Sequence, residues 1–187
     1  MKQSTETGDK TSGLRSKALN RLDKAQRLFF RHSCAMALGL LLAFSPRSAA
    51  AEEIVGRASV IDGDTIEIHA TRIRLFAIDA VESRQSCTTF TGQRWPCGRK
   101  SALALADMIG TRPVTCVPLD RDRYGRIVAR CFVGDQDIAA WSVANGWALA
   151  WPRYSAEYLP LQNKARSLGL GIWSGTFEDP QAVRKRN

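Results

Sequence analysis

The stretch from residue 54 to residue 78 constrains the fold of this chain most. Residues 54–61 are partly apolar and β-branched. Asp62-Gly63 then marks a tight turn, because this dipeptide tolerates positive φ. Thr65-Ile66-Glu67-Ile68-His69 alternates polar and apolar, as a half-buried strand does. Asp64 shares the parity of Ile66 and Ile68, so it faces the core side at the strand's end. A third strand is expected over 72–78, with Ile73, Leu75 and Ala77 on one face. A polar loop over 83–97 follows, then an Ala- and Leu-rich helix over 98–109 ended by Gly110. Two more strands, 114–119 and 127–133, flank the charged turn 120–126. Asp137 caps a helix over 138–144, residues 147–151 are extended, and a last helix spans 156–167. Five strands with a helix between the third and fourth is the layout of an OB-type barrel. The expected class is α+β: a five-stranded OB-type β-barrel with about three helices over 52–176, followed by a polar, frayed tail over 177–187.

Charge places the first 51 residues apart from that domain. They hold nine of the 27 Lys/Arg and three of the 18 Asp/Glu, so +6 of the +9 net charge resides there. The barrel region is only mildly basic, and the global charge is weak evidence for a polyanionic partner. A basic region, a short apolar run from Cys34 through Phe44, and Ser48-Ala49-Ala50-Ala51 follow one another as in a secretory signal peptide cleaved near Ala51. The run is shorter than the roughly 20 residues of a membrane span. The basic region is unusually long for a leader. That leaves a start further downstream, or retention of the segment as a membrane anchor, as the alternatives.

Cysteine usage agrees with export to a secreted or periplasmic location. Without the leader four remain, Cys87, Cys97, Cys116 and Cys131, an even number that reads as two disulfides. Three pairings are open to four cysteines. Their order favours Cys87–Cys97 closing a local loop and Cys116–Cys131 crossing a hairpin. Four buried thiols is the reading that remains if the leader is not a signal. No close Cys pair and a single histidine after residue 51, His69, argue against zinc.

The acids and arginines carry the chemistry, though each alone has a bland reading. Asp62 to Thr65 alone turns a hairpin. Asp79 and Glu82 alone are solvated loop acids, and Arg126 alone is a surface charge. Together they differ. Asp64 and Asp79 sit at strand ends that a barrel brings close, and two hard oxygen donors suit Ca²⁺ or Mg²⁺. Glu82 is placed to orient or deprotonate a water. Arg74 and Arg126 fork onto phosphate oxygens and offset charge in a five-coordinate transition state. Strict alternation sets Arg74 and Asp79 on opposite faces, so one site needs the strand to end or bulge between them. Trp141, Trp147, Trp151 and Trp173 read as core, and His69 as a surface strand residue.

At these residues the chain resembles the staphylococcal-nuclease (thermonuclease) family. Ile61-Asp62-Gly63-Asp64-Thr65, Arg74 followed by Asp79 and Glu82, Asp122 to Arg126, and Gly171-Ile172-Trp173-Ser174 agree with it in order and spacing. The resemblance implies an OB barrel and a Ca²⁺-dependent phosphodiesterase, an endonuclease on DNA and/or RNA that leaves 3′-phosphates. It implies that Asp64 and Asp79 bind one Ca²⁺, with the Ala80 carbonyl as third ligand, and that Glu82 is the general base. Arg74 and Arg126 would hold the phosphate and stabilise the transition state. Arg123 and Tyr124 resemble contacts to a terminal phosphate, and Tyr154 a tyrosine that packs on a base. Asp62 lies near enough to tune the metal shell.

One departure stands out. Where the family often has Thr-Pro, this chain has Ala80-Val81, losing a hydroxyl near the metal and a ring that stiffens the turn before Glu82. The Cys87–Cys97 loop is expected to tether the segment after Glu82, and Cys116–Cys131 to clamp the hairpin presenting Arg126. The expected protein is a monomer with a nucleic-acid substrate and no stable protein partner. A non-catalytic OB-fold binding or adaptor module with a vestigial site is the competing class, disfavoured because a binder has no need of Asp64, Arg74, Asp79, Glu82 and Arg126 together.

Overall fold

A computed structural model describes residues 52–186, and the expected leader and cleavage site fall outside them. The strands are β1 (Ile54–Arg57), β2 (Ser59–Asp62), β3 (Thr65–Ile68), β4 (Thr71–Leu75), β5 (Ile78–Ala80), β6 (Cys87–Thr89), β7 (Arg94–Trp95), β8 (Pro113–Arg121), β9 (Ile127–Val133), β10 (Gln136–Asp137), β11 (Ala148–Ala150) and β12 (Gly175–Thr176). The helices are α1 (Cys97–Ile109), α2 (Ile138–Ala144), α3 (Leu159–Ser167) and α4 (Pro180–Arg186), with a 3₁₀ turn at Gly171–Ser174. The main sheet runs β1-β8-β9-β4-β3-β2, and β10 pairs with β9. Its two outermost strands are one bent segment interrupted only at Ala58. That continuity curls the sheet into the OB-type barrel expected from the strand pattern.

Two features of the barrel position the site. The β3–β4 hairpin sets Thr65 opposite Arg74. β4 also pairs in parallel with β9, Ile73 opposite Ile127, so Arg126 enters beside the middle of β4. Parallel neighbours need a long crossover, which α1 and β8 supply. The core explains why the alternating residues take these places. Ile66, Ile68, Ile73 and Val114 are wholly buried, each contributing about 1.5–3 kcal/mol. Ser101, Leu105 and Ile109, spaced every four residues, form the buried stripe that α1 lays against them. Asp137 accepts from the Ala140 N–H at 3.0 Å and caps α2 as expected.

Both disulfides form in the expected pairing, Cys87–Cys97 and Cys116–Cys131. Cys116 and Cys131 face each other across the β8–β9 ladder and are wholly buried. Replacing both with serine is expected to lower stability by about 2–4 kcal/mol, read as a lower urea midpoint. An unchanged midpoint would remove the clamp.

Several elements differ from the sequence expectation. The third strand does not run to 78; it stops at Leu75, and β5 is a separate piece that pairs with β11. The loop over 83–97 contains the β6–β7 hairpin, joined by β12 into a small sheet of its own. The frayed tail is instead helical at α4, which makes four helices among the described residues rather than three. No helix among the described residues is long and apolar enough to cross a membrane.

Candidate active site

The turn between β2 and β3 delivers the first acid. Asp62 pairs with Thr65 across it, so Gly63 and Asp64 form the turn itself. The spacing predicts glycine for a positive φ, but the φ of Gly63 is not positive. The requirement is space: a Cβ there would lie 2.4 Å from Ser101 Oγ and 2.7 Å from the Ala80 Cβ. Asp62 accepts the Asp64 N–H at 3.0 Å, and Thr65 Oγ1 donates to Asp64 Oδ1 at 3.0 Å. Burial, reinforced by the charge of Asp64, pushes the Asp62 carboxyl up to about 6.

A backbone break delivers the second acid. Between β4 and β5, Ala77 takes φ 57°, a left-handed conformation that costs a non-glycine residue roughly 1–2 kcal/mol. The break resets the strand alternation, so Arg74 and Asp79 meet. Arg74 donates from Nη1 to Asp64 Oδ1 and from Nη2 to Asp79 Oδ1, both at 3.1 Å. All three side chains are buried. The Ala80 N–H donates to Asp64 Oδ2 at 3.1 Å, which joins β5 to the turn. Asp79 Oδ2 is buried without a hydrogen-bond partner. Burial pushes the Asp79 carboxyl up, against the pull of Arg184 and Arg74.

Glu82 follows in a turn held from three sides. Its N–H donates to Gln85 Oε1 at 3.0 Å, and the Gln85 N–H donates to the Glu82 carbonyl at 2.7 Å. The first turn of α1 presses on the same carbonyl, since a Cβ at Gly98 would stand 1.8 Å from it. The Cys87–Cys97 bond ties that helix start to β6. These contacts fix the turn that lacks the proline ring, and Ala80 and Val81 are both buried in it.

Arg126 reaches the cluster from the β8–β9 turn. Its Nε donates to Asp122 Oδ2 at 2.7 Å, and Nη1 donates to Thr65 Oγ1 at 3.1 Å. Burial works to raise the Asp122 carboxyl, but the hydrogen bonds from Arg126 and Tyr124 outweigh it and hold it below its ordinary range. Arg123 donates to the Tyr124 hydroxyl at 2.7 Å, and the Arg123 and Arg126 guanidinia lie 4.8 and 5.7 Å from that ring. Tyr124 and Tyr154 are both exposed on the rim of one cleft of about 1430 Å³. Asp64, Arg74, Ala80, Glu82 and Arg126 line the same cleft.

Three contributors were not singled out from the sequence. Trp151, read there as core, is only half-buried; its ring carries the Arg74 guanidinium at 5.2 Å and meets Tyr154 edge-on. Gln85 carried no signal. Arg184, in the expected tail, donates from Nε to Glu82 Oε1 at 2.8 Å and from Nη2 to Asp79 Oδ1 at 3.0 Å. Its only sequence signal was a short basic run. Among the described residues no three His, Cys, Asp or Glu side chains form a ready metal cage. The carboxylates are separated by arginines instead.

The cleft of this OB-type barrel sets carboxylates and guanidinia side by side. Residues 72–175 match the family described as Staphylococcal nuclease homologue, and the chain belongs to that family. It is similar to the succinoglycan biosynthesis protein ExoI of Rhizobium meliloti, 42% identical over 140 residues that span 73% of each chain. It is also similar to an uncharacterized endonuclease of Escherichia coli, 36% identical over 65% of this chain and 78% of that one. A probable staphylococcal-like nuclease of rice, CAN2, is 29% identical over 65% of this chain and 31% of its own.

Proposed function

We propose that this protein is an exported endonuclease that hydrolyses phosphodiester bonds of DNA and/or RNA with a divalent cation, and leaves 3′-phosphates. One observation carries the reading. A continuous line of hydrogen bonds and ion pairs runs Asp122–Arg126–Thr65–Asp64–Arg74–Asp79–Arg184–Glu82; all but the buried Thr65 and Asp79 line one cleft. Membership of the family and the names of the relatives support it. The two disulfides support an oxidising, extracytoplasmic location.

The residues fit a hard cation. Asp79 Oδ2 is a buried acceptor without a partner, and Asp64 stands next to it across Arg74. Asp64, Asp79 and the Ala80 carbonyl would hold the ion, Ca²⁺ by family likeness, with water and phosphate oxygens in the remaining positions. When bound it would supply charge to a non-bridging phosphate oxygen.

The remaining work falls to side chains. Glu82 takes a proton from the water as its oxygen bonds to phosphorus. The bond from phosphorus to the 5′-oxygen breaks, and that oxygen picks up a proton from solvent. Arg126, fixed by Asp122, donates to the equatorial oxygens as charge builds. Arg74 holds the two aspartates in register and turns its remaining N–H groups to the same phosphate. Tyr124, Arg123 and Tyr154 on the rim hold the flanking phosphate and base.

Incubating the purified protein with plasmid, single-stranded DNA and RNA, with Ca²⁺ or with chelator, tests this. Metal-dependent cleavage with 3′-phosphate ends is expected, and no cleavage under any condition overturns the reading. Glu82→Gln is expected to lower turnover by about 10²–10⁴-fold with KM little changed. Wild-type turnover in that variant would remove Glu82 as the base.

A further inference from the structure

The proposed metal site already contains a cation from the protein's own chain. Arg184 Nη2 lies 3.0 Å from Asp79 Oδ1 and 2.6 Å from Glu82 Oε1. Its guanidinium therefore sits between the proposed metal ligand and the proposed base. Burial opposes its charge, but Asp79 and Glu82 more than offset this and hold it firmly protonated. Arg74 and Arg184 share one oxygen of Asp79 and leave Oδ2 without a partner. The guanidinium thus neutralises the acids without saturating them.

The segment carrying Arg184 is built to arrive there. Phe177 packs edge-on against Trp173 with ring centroids 5.2 Å apart. Gln85 Nε2 donates to the Glu178 carbonyl at 2.7 Å, so the residue that holds the Glu82 turn also holds the strap. Asp179 accepts the Gln181 and Ala182 N–H groups at 2.8 and 3.2 Å and starts α4. Pro180 is buried, and Arg186 at the end of α4 pairs with Glu178 just before its start. Together these contacts aim one arginine at two acids more than 100 positions upstream.

We infer that Arg184 is an internal competitor for the metal ion: it sets how much cation is needed before Asp79 and Glu82 are released to the ion and the attacking water. This rests on the metal site proposed at Asp64 and Asp79. A metal-binding state populated only when the strap is open binds with an apparent affinity reduced by that fraction. For a strap closed about nine-tenths of the time, the reduction is about tenfold. Lysine in place of arginine keeps the charge but loses the fork that spans both acids, so it competes less well.

The test is a calorimetric titration of Ca²⁺ alone into the full chain, as wild type, Arg184→Ala and Arg184→Lys. Amide hydrogen exchange is followed over residues 178–186 of the wild type. The expected result is about tenfold tighter Ca²⁺ binding by Arg184→Ala, an intermediate value for Arg184→Lys, and faster exchange across α4 in saturating Ca²⁺. Equal affinity in wild type and Arg184→Ala overturns the inference and leaves the metal site standing. So does unchanged exchange across α4 at saturation. Absence of Ca²⁺ binding in both proteins removes the metal site and the competitor together.

Discussion

Arg126→Ala is expected to lower turnover by about 10²–10³-fold while barely moving the melting temperature. Both halves follow from where the guanidinium sits. It is partly exposed on the cleft, and its structural partner Asp122 keeps two backbone N–H donors, from Tyr124 and Arg126, once the side chain is gone. The Thr65 hydroxyl still donates to Asp64. No buried group is stranded, so the cost to stability is that of a partly exposed ion pair, about 1 kcal/mol. Catalysis has no such reserve. Arg126 is the guanidinium whose contacts at the cluster are a hydroxyl and a single carboxylate, which leaves it donors for a phosphate. Its contribution grows as charge develops, so the loss is expected in turnover with KM little changed. Steady-state kinetics alongside a thermal melt measures both. A large rise in KM at unchanged turnover would make Arg126 a ground-state anchor and nothing more.

The barrel was legible because its signal is periodic and local. Ile66, Ile68, Ile73 and Val114 alternate with polar neighbours, and burial of one face dictates that pattern. The core-side placement of Asp64 follows from the same parity, and that of Asp79 does not. Nor does what joins them. The phase reset at Ala77 is a backbone conformation an alanine sequence does not advertise, yet without it Arg74 faces away from Asp79. The same holds for Gln85. Its side chain substitutes for a stiff turn only because the chain folds back over it, and nothing in the spacing from Glu82 signals that. Arg184 is the extreme case. A seven-residue polar helix has too little periodic signal to be read from sequence, and its partners lie at the far end of the domain. The core reading of Trp151 fails for a different reason. An aromatic residue in an apolar stretch is usually core, whereas here one face of the ring is turned to Arg74 at the cleft.

These late-arriving contacts share one property: each balances charge in a pocket crowded with acids. Asp64, Asp79 and Glu82 cannot all remain ionised at close quarters without cations between them. Arg74 and Arg184 supply those cations, both on Asp79 Oδ1. Arg74 comes from the barrel and is buried, and Arg184 comes from the strap and is partly exposed. The first is fixed in place. The second is removable, which divides structural support from exchangeable charge.

Arg74→Ala is accordingly expected to be the most damaging single change at the site, and its damage should depend on metal. Removing Arg74 leaves Asp64 and Asp79 buried and facing each other, with Asp79 holding only Arg184 and Asp64 only Thr65 and the Ala80 N–H. Breaking a buried ion pair from one side typically costs about 3–5 kcal/mol. For a domain of this size that is a fall of several degrees or more in melting temperature. Turnover should be lost as well, because the aspartates no longer share a register. A divalent cation offers the two carboxylates the charge that Arg74 withheld. Ligands that bind only the folded state stabilise it by mass action, so Ca²⁺ should raise the melting temperature of Arg74→Ala more than that of the wild type, without restoring turnover. Thermal melts of both proteins across a Ca²⁺ series, each with a matched chelator control, measure this directly. If Arg74→Ala melts with the wild type in chelator, the buried bridge between Asp64 and Asp79 contributes nothing to the fold. If Ca²⁺ rescues neither protein, the charge that Arg74 neutralises is not one a metal ion can reach.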